Sequence, residues 1–212
     1  MNQRAIGVTG IGTDVGKTVV SSILVQALDA AYWKPVQAGD LYYSDSDKIR
    51  GKTDVQLIFP ERHRLNTPMS PHAAAKIDNV EISLSDFSIP DYSGTLIVEG
   101  AGGIMVPLND KGDLIGDLYK HLNIPVVVVS RHYLGSINHT LLTLEYLKQK
   151  EIDVIGLIFV GEENVSTQSL IISQYSIPWV QRIPETDSLD KEFIREQAEV
   201  MKESFKKVFE NK

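Results

Sequence analysis

Gly10-Ile11-Gly12-Thr13-Asp14-Val15-Gly16-Lys17-Thr18 is the stretch around which the chain is organised. Before it, Ala5-Ile6-Gly7-Val8-Thr9 is a short apolar run that predicts a buried strand. After it, Val19 to Leu28 has the length and apolar content of a helix. Strand, glycine loop, Gly-Lys-Thr and helix together are the context of a phosphate-binding loop. Glycines let the backbone turn so that successive N–H groups point into one hollow, and the helix aims its positive end at the same place. Lys17 would set a mobile cation on the terminal phosphates, and the Thr18 hydroxyl would help complete a Mg²⁺ shell. A strict G-x-x-x-x-G-K-[ST] wants glycine at Ile11; here Gly10 stands one position earlier and Gly12 is an extra glycine. The plain alternative is a turn whose glycines serve only backbone geometry, and the correctly framed Gly16-Lys17-Thr18 outweighs it.

Size and composition bound the rest. The 212 residues fit a single domain spanning 1–212, large enough to bury a substantial core. A hydrophobic content of 42% and a charged content of 23% are ordinary for a soluble globular chain. The net charge of −7 argues against a nucleic-acid surface, which needs clustered Lys and Arg. With no cysteine, disulfides, thiolate nucleophiles and Cys-based metal sites are excluded. Met1-Asn2-Gln3-Arg4 is followed by too few apolar residues for a signal segment, and no apolar run approaches membrane-spanning length. The expectation is a cytoplasmic protein with no membrane partner.

Downstream, Ala31-Tyr32-Trp33 predicts a second strand, closed by Pro35 in Lys34-Pro35-Val36. Lys34 then sits at a strand end, where open α/β sheets gather ligands, although a lysine before proline is commonly a surface residue. Residues 40 to 68 are polar and carry Asp40, Asp45, Asp47 and Asp54. Thr53-Asp54 before Val55, Leu57, Ile58 and Phe59 reads as a helix start capped by Thr53 or Asp54, with a Mg²⁺ ligand as the functional alternative for Asp54. Ser70-Pro71 opens another helix, with Ser70 as its cap, and His72 is a lone histidine. Thr95-Leu96-Ile97-Val98 is a buried strand running into Glu99-Gly100-Ala101-Gly102-Gly103, where a P-loop protein holds a metal-binding carboxylate. A bulge or tight turn is the competing reading of those glycines. Ile124 to Val129 predicts a central strand apolar on both faces, and Ser136 caps the helix after it. Strands follow over Asp153 to Val160 and Trp179 to Arg182, and Ile194, Ala198, Met201, Phe205 and Val208 form one stripe of a closing helix. The alternation predicts an α/β fold with a doubly wound, mostly parallel sheet of the P-loop NTPase type and helices on both faces.

Taken together, Gly10-x5-Gly16-Lys17-Thr18, Lys34-Pro35-Val36, Ser70-Pro71-His72, Val98-Glu99-Gly100-Ala101-Gly102-Gly103 and Leu134-Gly135-x-Ile137-Asn138-His139 resemble the dethiobiotin synthetase family over about residues 5 to 185. The resemblance implies an ATP- and Mg²⁺-dependent enzyme that carboxylates 7,8-diaminononanoate with CO₂ and closes a ureido ring, giving dethiobiotin, ADP and phosphate. It implies catalytic roles for Lys17, Lys34 and Thr13, and Mg²⁺ ligation by Thr18, Asp54 and Glu99. Nucleotide contacts would come from Gly12, Thr13, Asp14, Val15, Gly16, Lys17, Thr18 and Val19, from Asp54 and Glu99, and from Ile183, Pro184 and Glu185 near the base. Substrate contacts would come from Thr13, Lys34, Ala38 and Gly102, with Leu134, Gly135, Ser136, Ile137 and Asn138 reaching in from the other subunit of a homodimer.

Some positions depart from the family pattern. Gly12 stands where many members carry Asp, Asp14 where they carry Glu, and Ala38 where serine is frequent. Val160 falls where an asparagine reads adenine in better-known members, which leaves base preference open. The principal competing class is a partitioning or positioning ATPase switch, whose signature lysine lies early in the loop; that position is Gly12. A cobyrinate-type amidotransferring enzyme would bring a glutaminase cysteine, and a GTPase an Asn-Lys-x-Asp motif; neither is present.

Overall fold

Residues rich in valine and isoleucine favour extended backbone, and where both faces are apolar they belong inside a parallel sheet covered on each side. The computed structural model describes residues 4–209, so residues 1–3 and 210–212 of the expected single domain lie outside the described part. Seven parallel strands form the main sheet in the order β4-β2-β6-β1-β7-β8-β9. They are β1 (Arg4–Gly10), β2 (Ala31–Trp33), β4 (Ile58–Phe59), β6 (Thr95–Gly103), β7 (Val126–Arg131), β8 (Val154–Val160) and β9 (Val180–Ile183). A separate two-stranded sheet pairs β3 (Val36–Ala38) with β5 (His63–Leu65). The sequence predicts that the second strand ends at Pro35 and gives no sign of β3. Pro35 does break the ladder, but the chain resumes extended pairing against β5.

On one face lie α1 (Lys17–Leu28), α2 (Asp45–Lys52) and α7 (Lys191–Phe209), with α1 packed against both the others. The opposite side carries α4 (Ile115–Leu122), α5 (Ser136–Gln149) and α6 (Val165–Gln174). The chain winds one way from β1 through α1 and the other way from β7 through α5, so a single crossover hand places these helices on opposite faces. The remaining helix, α3 (Pro71–Asp78), rests on the small sheet and has Pro71 at its first position as predicted.

Two local expectations are corrected, and a third holds in position only. Thr53 does not start a helix: α2 begins at Asp45 behind a Ser44 and Asp47 capping box, and Thr53 is its C-terminal cap. Acidic residues in the first turn and Arg50 and Lys52 in the last suit the helix dipole, so the polar segment is the helix and the apolar one after it is loop and strand. Ser136 is the first residue of α5 and Gly135, at φ 105°, is the cap. Ser70 is the N-cap of α3 as expected, its carbonyl accepting from Ala74 N at 3.0 Å, but its hydroxyl pairs with His72 Nδ1, also 3.0 Å away, and makes no side-chain cap bond.

The closing helix behaves as its stripe predicted: Ile194, Ala198, Met201 and Phe205 are buried, and Val208 packs at the edge of the core. Trp179 meets Phe205 edge-on with ring centroids 5.4 Å apart, while its indole N–H donates to Ser204 Oγ at 2.9 Å. A Cβ on Gly156 would stand 2.7 Å from the Trp179 ring, so the small residue in β8 makes room for the indole. Trp179→Ala is expected to lower unfolding free energy by about 3–5 kcal/mol, read as the midpoint shift in equilibrium urea denaturation. A midpoint equal to the parent's would mean that this joint between α7 and the sheet contributes little.

Candidate active site

The glycine loop turns tightly because nothing larger fits. A Cβ on Gly10 would lie 2.6 Å from Val15 Cγ2, and Gly16, at φ 95°, adopts the left-handed backbone that launches α1. Asp14 also lies in the left-handed region, at φ 56°, a conformation that Asp tolerates better than most residues. Lys17 folds back to donate to the Gly12 carbonyl at 2.9 Å. Burial lowers its pKa to about 8; Glu99 opposes the shift and the ammonium of Lys34 adds to it.

Alternation along β2 assembles the second half of the site. Successive side chains point to opposite faces, so Tyr32 and Lys34 share one side while Trp33 turns away and donates to the Pro60 carbonyl at 3.1 Å. The register pairs Trp33 with Val98, which brings Lys34 level with Glu99 of β6. Glu99 is wholly buried. Its Oε1 accepts from Thr18 Oγ1 at 2.9 Å and Lys34 Nζ at 3.1 Å, and its Oε2 accepts from the Tyr32 hydroxyl at 3.0 Å. Lys34 Nζ also lies 2.6 Å from Asp45 Oδ2, and Lys48 holds the other oxygen of Asp45 at 2.9 Å. Burial pulls the Lys34 pKa down, but Glu99 and Asp45 more than reverse it, so this ammonium keeps its charge in the interior. Asp45 is held below the ordinary carboxylate range because Lys34 and Lys48 outweigh its own burial.

These groups open onto one cleft of about 800 Å³ at the carboxyl ends of the strands. Thr13, Asp14, Gly16, Lys17, Thr18 and Val19 line it from the loop and α1, with Lys34, Ala38, Glu99 and Gly102 on the remaining walls. Gly12 and Val15 lie within the loop: the first lends its carbonyl to Lys17 and the second is buried beneath Gly10. A second cleft of about 580 Å³ shares Val19, Arg131 and Leu189 with the first and is lined by Ile183, Pro184, Glu185 and Val160. Arg131 Nη2 and Glu185 Oε1 form an ion pair at 2.6 Å there.

Asp54 is not with the others. It is exposed, lies outside both clefts and is paired with Arg195 of α7 at 3.0 Å and with Gln26. The expected ligand role at that position is corrected: the acidic residue that reaches Lys34 and the Glu99 cluster is Asp45, in the first turn of α2. Leu134, Gly135, Ser136, Ile137 and Asn138 likewise line neither cleft of this chain, and Leu134 projects fully into solvent at the start of α5. Sequence reasoning missed Tyr32, Asp45, Lys48 and Arg131. Ser44-Asp45-Ser46-Asp47 does signal a helix N-cap with an acidic first turn, but not which of its aspartates faces Lys34.

A family model described as an AAA domain matches residues 4–193. The ATP-dependent dethiobiotin synthetase BioD of Christiangramia forsetii is 49% identical over 194 residues, covering 91% of this chain and 93% of that protein. The protein of the same name from Brucella ovis is 46% identical, with 91% of each chain covered. The chain belongs to the dethiobiotin synthetase family. More distant structures share the fold alone. A plasmid partition protein from Borrelia burgdorferi bound to AMPPNP superposes with a TM-score of 0.59 at 12% identity, covering 98% of this chain and all of the other. The septum site-determining protein MinD from Pyrococcus horikoshii, complexed with Mg-ADP, gives 0.56 at 12% identity, with 94% and 96% covered.

Within this member of the dethiobiotin synthetase family, the two aspartates separate cleanly by experiment. Asp45→Asn is expected to reduce turnover by about 10–100-fold, the usual cost of removing a supporting partner from a charged site. Asp54→Asn, which loosens only a surface ion pair, should leave turnover at the parent level in the same steady-state assay.

Proposed function

We propose that the chain catalyses ATP-dependent carboxylation and ring closure of 7,8-diaminononanoate with CO₂, releasing dethiobiotin, ADP and phosphate, as a cytoplasmic homodimer that requires Mg²⁺. The observation that carries this reading is the meeting of Lys17, Lys34 and the Glu99 carboxylate in one cleft at the end of a phosphate-binding loop. Among the described residues, no helix is long and apolar enough to cross a membrane.

One amine of the substrate adds to CO₂ and loses a proton, giving a carbamate. A carbamate oxygen then attacks the γ-phosphorus, the bond to the β-phosphate oxygen breaks and ADP leaves. The second amine attacks the carbonyl carbon of the mixed anhydride and gives up a proton, phosphate departs with the bonding pair, and the ureido ring is closed. Lys17 follows the phosphates from the loop side while Lys34, fixed by Glu99 and Asp45, stabilises the negative charge shared between carbamate and phosphoryl group. Thr13 and Gly102 stand side by side, a Gly102 Cβ falling 3.6 Å from Thr13 Oγ1, and form the wall nearest an acyl oxygen. The second cleft, with Ile183, Pro184 and Glu185, takes the base. The N-terminus of α5 from a second copy would receive the substrate carboxylate through Leu134 to Asn138, since helix starts favour anions and this one lines neither cleft of its own chain.

Mg²⁺ fits the donors present. Thr18 Oγ1 and Glu99 Oε1 are neighbouring hard oxygens, with Asp45 tied to the same cluster through Lys34. Among the described residues no group of three or more His, Cys, Asp or Glu gathers as a self-sufficient metal site. The ion would therefore be shared with phosphate oxygens and water, as is usual for Mg²⁺, and would supply charge neutralisation on the phosphates.

The test is phosphate release from ATP with and without diaminononanoate plus bicarbonate. Release only when the diamine is present supports the synthetase; equal release without it would point instead to an ATPase switch. Lys34→Ala is expected to lower kcat by about 10²–10³-fold with a much smaller change in nucleotide affinity, the pattern of charge used in the transition state. A heterodimer of Lys17→Ala and Asn138→Ala subunits should recover one working site, measured as dethiobiotin formed by the purified mixed species. No recovery would count against a pocket shared between subunits.

A further inference from the structure

Glu99 places its two carboxylate oxygens in different surroundings. Oε1 faces the cleft and takes two donors, Thr18 Oγ1 and Lys34 Nζ. Oε2 takes the Tyr32 hydroxyl at 3.0 Å. Tyr32 is wholly buried and does not line the cleft, so its phenol meets the carboxylate from the protein interior. It reaches Glu99 because β2 and β6 run parallel in register and because residues 32 and 34 share a face.

Resting on the functional reading above, we infer that Tyr32 is a positioning residue for catalysis: its hydroxyl anchors Glu99 Oε2 so that Oε1 stays turned toward Thr18 and Lys34, where it would help to hold Mg²⁺. A terminal carboxylate torsion is soft, and packing alone does little to choose between its orientations. One charge-assisted hydrogen bond on the far oxygen removes that freedom. The phenol is the donor in this contact, since a carboxylate oxygen can only accept. Phenylalanine would fill the same volume, so packing does not account for the hydroxyl. A buried Tyr hydroxyl on a carboxylate also does more than satisfy itself. It leaves Glu99 with three donors split between two sides, which opposes rotation by either oxygen toward the other set.

The test compares the parent with Tyr32→Phe, which removes one oxygen atom. Mn²⁺ binding to the protein–ADP complex, followed by electron paramagnetic resonance, is expected to weaken by about tenfold. ADP affinity in EDTA and the KM for ATP should stay within about twofold while kcat falls. In a Glu99→Gln background, Tyr32→Phe should change Mn²⁺ affinity no further, because the two residues act as one unit. Parent-like Mn²⁺ affinity, an equal loss of ADP affinity in EDTA, additive losses in the double variant or failure of Tyr32→Phe to fold would each overturn the inference. Mn²⁺ binding needs no diamine, so failure of the synthetase reading would leave this measurement intact and separately interpretable.

Discussion

A carboxylate taken completely out of water is costly unless opposite charge and hydrogen-bond donors go with it. Glu99 is such a group, and much of the architecture around the cleft can be understood as its compensation. Lys34 supplies the charge, Thr18 and Tyr32 supply hydroxyl donors, and Asp45 balances the second half of the Lys34 charge. These partners come from β2, α1 and α2, three elements that meet β6 only in the folded chain. Removing Lys34 leaves the buried Glu99 carboxylate without its countercharge, and removing Thr18 or Tyr32 takes away one of its donors, so the cluster holds the relative placement of strand, loop and helix as well as the chemistry. The P-loop, attached through Thr18, is thereby fixed against the central strand.

The chain carries a net charge of −7 and yet must attract an anionic nucleotide. It does so locally. The start of α1 and the loop amides face the cleft, and Lys17, Lys34, Lys48, Lys52 and Arg131 line it. Several of these cations are already engaged: Lys48 with Asp45, Arg131 with Glu185, and Lys52 with the Leu189 carbonyl. Arg131 and Leu189 belong to both clefts, so the contacts they make span the passage between the phosphate end and the proposed base end.

Local signals in the sequence carried most of the fold. Gly10 to Thr18 located the phosphate loop, and the runs at Leu96–Val98 and Val126–Val129 located strands that need apolar cover on both faces. Glu99 was legible because an acidic residue directly after a buried strand has few inexpensive explanations. Asp45 was not, because four aspartates lie between residues 40 and 54 and only the turn of α2 determines which one faces Lys34. Asp54 attracted attention by standing before an apolar segment, but that segment is edge strand, and Asp54 finds Arg195, 141 positions away. Tyr32 was hidden for a related reason. In a run of apolar residues, nothing but the register with β6 reveals that its hydroxyl has a carboxylate to meet.

The two lysines of the site occupy opposite electrostatic conditions, and the contrast explains how they can divide the work. Lys34 is held between two carboxylates, which keep its pKa high despite burial, so its charge and position are set before any ligand arrives. Lys17 has only the carbonyl of Gly12 as its hydrogen-bond partner among the described contacts, and its pKa is lowered to about 8. An incoming polyphosphate would give Lys17 the countercharge it lacks, so this ammonium gains from nucleotide binding what Lys34 already receives from the protein. A cation that gains on binding acts as a clamp for the triphosphate. Lys34 already gives two of its three donors to fixed carboxylates, so its place is set in advance and its remaining donor is suited to charge that moves between carbamate and phosphate during reaction.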